Sequence, residues 1–230
     1  KYVLPGVIDS HVHFRDPGQF EKEDFYTGSA SAAMGGVTTV LDMPNTGNLA
    51  FRGEDIIEKN RIAQKKSYVD YGFFGAITNH IDEIKKMADA GVIGFKVYLG
   101  YKNWKETPMA PTNDGFLYRA MKEATRTGLR VSFHAENADI IETLSEEMKN
   151  MGLNDLNAYL NSRPSLVETE SVFKICQLAK YTNCKINICH ISAGKTVEVL
   201  KKFKHQIDYT GETGPHYLFF TCDDYRRIGN

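Results

Sequence analysis

Two histidines, His11 and His13, stand two residues apart in the apolar run Val7–Phe14. In a strand, residues i and i+2 share a face, so both imidazoles project together, with Asp9 beside them and Ile8 and Val12 opposite. Two convergent imidazoles suit a divalent transition metal such as zinc. A His-x-His pair also arises by chance, and a satisfied core histidine is the plain alternative for each ring. His134 closes the run Leu129–His134, and His190 lies near the end of Lys185–Ile191. Four histidines on three strand ends favour ligation over four separate accidents. His80 and His205 fall in or beside helical patterns and read as surface residues, while His216, after Pro215, is ambiguous.

Lys96 interrupts an otherwise apolar stretch, Gly94-Phe95-Lys96-Val97-Tyr98-Leu99-Gly100. A buried ammonium without a partner is costly and tends to shed its proton. An edge-strand lysine that snorkels to water is the alternative. A neutral amine reacts with carbon dioxide, and the two oxygens of the resulting carbamate suit a bridge between metal ions, which in such centres lie roughly 3.5–4 Å apart. Arg15 lies two residues past His13, so a continuing strand would aim it into the same cavity. Its planar fork suits a carboxylate. A structural salt bridge to Asp16 or Glu23 is its plain alternative.

The elements that must position these groups alternate. Strand-like runs are Val7–Phe14, Val37–Met43, Tyr71–Ile77, Ile93–Leu99, Leu129–His134, Lys185–Ile191 and Ile207–Gly211. Helical patterns between them include Glu54–Lys66, Ile81–Ala90, Phe116–Thr127, Ala138–Met151, Ser165–Thr182 and Lys195–His205. Glycines at 35–36, 91 and 128 mark helix ends. The alternation predicts a parallel sheet of the α/β class, and its strand number favours a TIM-like (β/α)8 barrel over an open doubly wound sheet. Active sites of such barrels lie at the C-terminal ends of the strands. No Gly-x-Gly-x-x-Gly follows the first strand and no Walker loop occurs, which argues against nucleotide binding. Residues 1–230 read as one barrel domain, incomplete, truncated before an eighth strand. A fragment of that kind would be inactive and prone to aggregate through its open edge.

Bulk properties agree with a small-molecule enzyme. The chain has 230 residues, 42% hydrophobic and 25% charged, with a net charge of −1. So balanced a charge predicts neither a nucleic-acid nor a membrane partner. No apolar run approaches the roughly 20 residues of a membrane span. Lys and Glu interleave along the helices and read as solvated faces. Cys176, Cys184, Cys189 and Cys222 form no CxxC pair, so reduced thiols in a cytoplasmic protein are expected, with a zinc–thiolate site as the alternative.

Several segments together resemble the dihydroorotases of the amidohydrolase superfamily, its cyclic amidohydrolase branch. They are His11-Val-His13-Phe-Arg15-Asp16-Pro17-Gly18, Lys22-Glu23-Asp24, Ala33–Thr39, Met43-Pro44-Asn45-Thr46, Gly94-Phe95-Lys96, His134–Asn137, His190-Ile191-Ser192 and Glu212–His216. The likeness covers nearly the whole chain. It implies a two-zinc centre held by His11, His13, His134 and His190 and bridged by carbamylated Lys96. It further implies that Arg15 and Asn45 hold a substrate carboxylate. The catalytic aspartate of the family's last strand is expected beyond Asn230, and the family's small β-sandwich is not in this span. Gly214 stands where family members often carry Cys, outside the ligand set. The implied reaction is the interconversion of N-carbamoyl-L-aspartate and L-dihydroorotate in pyrimidine biosynthesis. Allantoinase or dihydropyrimidinase activity is the near alternative, and a non-catalytic dihydroorotase-like scaffold subunit the distant one. A homo-oligomer is compatible with the sequence.

Overall fold

The computed structural model describes residues 2–101, 103–104, 107–108 and 113–228. It divides into two compact units, Lys1–Val97 with Asn103–Arg130, and Tyr98–Lys102 with Val131–Asn230. Through the first run β1 (Val7–Val12), α1 (Phe25–Met34), β2 (Val37–Asp42), α2 (Gly53–Lys66), β3 (Asp70–Ala76), α3 (Glu83–Asp89), β4 (Gly94–Tyr98), the two-residue strands β5 (Asn103–Trp104) and β6 (Thr107–Pro108), and α4 (Asp114–Thr127). The second continues with β7 (Arg130–His134), α5 (Ala138–Asn150), α6 (Leu156–Asn161), α7 (Ser165–Thr182), β8 (Ile186–Ile188), α8 (Gly194–Phe203), β9 (Tyr209–Gly211), α9 (Pro215–Phe219) and α10 (Cys222–Ile228).

Among the described residues, seven strands form one sheet in the order β1-β2-β3-β4-β7-β8-β9. The pairs β1–β2, β2–β3, β3–β4, β7–β8 and β8–β9 are parallel. Strands in sequence order, joined by helical crossovers, make the TIM-like (β/α) barrel architecture that the alternation predicts.

Local chemistry sets the element boundaries. Asp24 caps α1 by accepting the Thr27 backbone N–H at 2.8 Å, and Asn113 caps α4 by accepting that of Phe116 at 3.0 Å. Gly128 ends α4 at φ +74°, a left-handed conformation that glycine adopts without Cβ strain. Helix α1 was not legible as a periodic pattern, because Phe25–Met34 is built mainly of small residues. Those small residues have a use: a Cβ on Gly28 would fall 2.5 Å from the Phe14 ring. Phe14 thereby reaches Phe25, their rings meeting edge-on at 5.4 Å, and Phe25 in turn meets Phe73 at 6.0 Å. In the second unit Val172, Ile175 and Cys176 of α7 and Ile186 and Ile188 of β8 are fully buried.

Two strands stop two or three residues earlier than the apolar runs predict. Strand β1 ends at Val12 and β8 at Ile188. Past each end the chain takes a left-handed turn at a residue other than glycine, Arg15 at φ +60° and His190 at φ +38°. His13 and His190 therefore sit on the turns that leave the strands. Such backbone persists only where its surroundings over-determine it, and it is concentrated at functional sites.

Candidate metal centre

In the first unit, His13 is oriented by Asn45. Its Nδ1 lies 2.6 Å from Asn45 Oδ1. With Nδ1–H donating to that oxygen, Nε2 keeps its lone pair for a cation. The His11 ring stands 5.2 Å away, centroid to centroid. Burial lowers the His13 pKa to about 3, and the charges of Arg15, His11 and Lys96 push the same way against the Asn45 hydrogen bond. An imidazole can bind a metal only when neutral, the state that this lowered pKa favours. Lys96 is fully buried on β4, opposite Ala76 of β3. A lysine so buried does not snorkel to water.

Arg15 donates from Nη1 to the Asn45 backbone oxygen at 2.9 Å. Its backbone leaves the strand in a left-handed turn, so strand parity does not set its direction. The carboxylate of neighbouring Asp16 meets Lys66 Nζ at 2.8 Å. The loops after β1 and β2 touch through bare backbone. The Gly47 N–H donates to Pro17 O at 2.8 Å, and a Cβ on Gly47 would fall 2.5 Å from Gly18 Cα.

Beneath these loops lies an ion pair the sequence did not reveal. Lys59 of α2 is 1% exposed, with Nζ 2.6 Å from Asp42 Oδ2 and 2.9 Å from Met43 O. Asp42 Oδ1 accepts the Phe14 N–H at 2.9 Å. Burial raises the Asp42 pKa, and the Lys59 ammonium opposes it. The reading of the interleaved Lys and Glu as solvated helix faces thus fails at Lys59, which is buried against Asp42 and Met43.

In the second unit, His134 Nδ1 and His190 Nε2 lie 3.0 Å apart. The opposite nitrogen of His134, Nε2, is 2.8 Å from Glu136 Oε2. If Nε2–H donates to that carboxylate, Nδ1 presents a lone pair beside His190. Two nitrogens on one tetrahedral zinc stand roughly 3.3 Å apart, from Zn–N bonds near 2.05 Å. The observed pair is close to that separation, so the donor set fits a cation. Burial acts to raise the Glu136 pKa, but the His134 hydrogen bond and charge and the Arg163 charge overcome it and leave it lowered. Gly100 leaves room for this pair, since a Cβ there would fall 2.9 Å from the His134 ring. Tyr101 stands with its ring 4.9 Å from that of His134.

The amidohydrolase family model matches residues 2–207. The chain belongs to the amidohydrolase family. It is 37% identical to an allantoinase of Deinococcus radiodurans over 231 residues, 99% of this chain and 51% of that protein. It is 36% identical to a dihydroorotase of Methanothermobacter thermautotrophicus over 228 residues, 99% of this chain and 50% of that protein. The structure of L-hydantoinase (dihydropyrimidinase) from Arthrobacter aurescens superposes with a TM-score of 0.90 at 33% identity, over 98% of this chain and 50% of that one. The chain spans about half the length of the relatives it matches.

In this amidohydrolase, His80, His205 and His216 are exposed, and the ambiguous His216 packs on Tyr217 with ring centroids 4.1 Å apart. All four cysteines are free thiols. No helix among the described residues is long and apolar enough to cross a membrane. Sequence reading gave no role to Glu136, Tyr101 or Lys59. For Glu136 a signal existed, a carboxylate two residues past a strand-end histidine.

Proposed function

We propose that this protein is a two-metal hydrolase that opens a cyclic ureide ring of the allantoin type. The observation that carries the reading is the 37% identity to an allantoinase over 99% of the chain. The proposed ligands are His11, His13, His134 and His190, with Lys96 as a carbamate bridge. Zinc held by these residues would supply Lewis acidity toward a carbonyl and an activated water. The overall change adds water across one ring C–N bond: carbon takes the hydroxyl and the departing nitrogen takes the proton. Asn45 holds the His13 ring so that Nε2 faces outward, Glu136 does the same for Nδ1 of His134, and burial keeps His13 unprotonated.

A second reading is dihydroorotase, with Arg15 and Asn45 gripping the substrate carboxylate. The Arg15–Asn45 contact at 2.9 Å favours it, because it places a guanidinium beside an amide. The Asn45 side-chain oxygen is engaged with His13, so a carboxylate would be held by the Asn45 Nδ2–H2 donor while Oδ1 orients the ring. The remaining family choice is a dihydropyrimidinase or hydantoinase substrate.

A substrate panel decides. The complete protein, with and without chelator, is assayed on allantoin, dihydroorotate, dihydrouracil and hydantoin, with metal content measured alongside. Fastest turnover of allantoin that chelator abolishes supports the proposal. Chelator-insensitive activity overturns the metal mechanism, preference for dihydroorotate supports the second reading, and a metal-loaded protein inert on every ring supports a scaffold. Two ions retained tightly in Lys96→Ala would exclude the carbamate bridge.

A further inference from the structure

The turns that carry His134 and His190 are both fastened to one helix. Glu168, in the first turn of α7, accepts the Ser192 N–H at 3.0 Å, the Ser192 hydroxyl at 2.7 Å and the Ala193 N–H at 3.2 Å. These donors lie two and three residues past His190. Beside it, the Asn137 N–H donates to Val167 O at 3.0 Å, and Asn137 Nδ2 donates to Glu170 Oε2 at 2.7 Å. Asn137 lies three residues past His134, and its Oδ1 caps α5 through the Asp139 and Ile140 N–H groups. The first two turns of α7 therefore hold the exits of β7 and β8 with three carboxylate or carbonyl anchors.

The anchoring at Ser192 serves two ends. Helix α8 starts after Ala193, a residue with no side-chain acceptor, and its own sequence provides no cap. His190 is held at φ +38°, which a β-carbon makes unfavourable and which relaxes unless both flanks are pinned. On one flank Cys189 N–H donates to Phe133 O at 3.0 Å; on the other Ile191 N–H donates to Glu212 O at 2.8 Å and Glu168 adds its grip on Ser192. A carboxylate accepting three hydrogen bonds is well suited to that task, since bonds to an ionised acceptor are about twice as strong as neutral ones.

We propose that Glu168 is a positioning residue for the His134–His190 pair: it fixes the separation and direction of the two ring nitrogens by holding the His190 turn to α7. This rests on the reading of His134 and His190 as metal ligands. Glu168 acts through the Ser192 N–H and hydroxyl and the Ala193 N–H. A residue that only capped α8 would affect stability and leave metal retention in the folded protein unchanged.

The test is Co2+ release into excess chelator from the complete, metal-loaded protein, well below its melting temperature. Glu168→Ala is compared with Val172→Ala, a cavity-forming change in the same helix that removes a fully buried side chain and none of these hydrogen bonds. Glu168→Ala is expected to speed release of one of the two ions about tenfold, the scale on which outer-shell partners act. It should also shift the visible Co2+ spectrum, and Val172→Ala should do neither even with an equal or larger loss of melting temperature. Should Glu168→Ala fail to fold, Glu168→Gln, which keeps one acceptor oxygen, takes its place with a smaller expected change. Wild-type release from the Glu168 variant, or equal acceleration by Val172→Ala, overturns the proposal. Failure of the underlying reading looks different: wild-type protein would bind fewer than two ions, or His190→Ala would keep both.

Discussion

Glu136 holds His134 by the ring edge opposite to the one that meets His190: Oε2 is 2.8 Å from Nε2, while Nδ1 is 3.0 Å from His190 Nε2. Removing the carboxylate frees the ring to rotate and lets the other tautomer compete for Nδ1. Glu136→Ala should weaken binding of one metal ion by roughly 10- to 100-fold with little change in melting temperature. Isothermal titration of apoprotein with zinc checks this. Unchanged affinity would show that Glu136 does not orient the ring.

The buried Lys59–Asp42 pair makes a stability prediction with a sign that depends on which partner is removed. Lys59→Met leaves the Asp42 carboxylate buried without its cation and should cost roughly 3–5 kcal/mol. Asp42→Asn/Lys59→Met keeps an acceptor for the Phe14 N–H, now 2.9 Å from Asp42 Oδ1, and should recover most of that loss. Denaturant midpoints of the two variants decide the point.

Acid should unfold the metal-free protein in part through His13. Its folded pKa is about 3 against an ordinary 6.5. Between those values the unfolded chain binds a proton there and the folded protein does not. The neutral ring thus contributes stability above pH 6.5 that is lost as pH falls toward 3, at about 1.4 kcal/mol per pH unit from this group alone. Denaturant unfolding of apoprotein between pH 7 and 4 should show that slope, and His13→Gln should reduce it by about one proton.

Gly47→Ala places a methyl group 2.5 Å from Gly18 Cα, where only backbone could give way. A destabilisation of about 1–3 kcal/mol is expected, as for other overpacked sites. Because the displaced loops carry Arg15 and Asn45, turnover should fall at temperatures where the variant is still folded. Full activity of folded Gly47→Ala would show that this contact has no bearing on the site.

The legible parts of this protein are those with a periodic or chemical signature. Lys96 stood out because one charge in an apolar strand has few innocent explanations, and the structure buries it completely. The alternation of strands and helices announced the parallel sheet. Arg15 came to its place by a route that no parity rule describes, since its φ of +60° is set by the loop and not by β1. Lys59 was hidden in Gly53–Lys66, a helix rich in Lys and Glu, where nothing local separates a buried lysine from a solvated one. Glu168 was hidden for the same reason, its partners being 24 and 25 residues away in the chain.

Two loops that meet at Gly18 and Gly47 without intervening side chains are bound to a common evolutionary fate. A first mutation at either position meets the backbone of the other, so neither loop can be remodelled by single steps there. Change around the site is thereby left to side chains that can be replaced one at a time. Divergence of this lineage should leave the Gly18–Gly47 contact fixed.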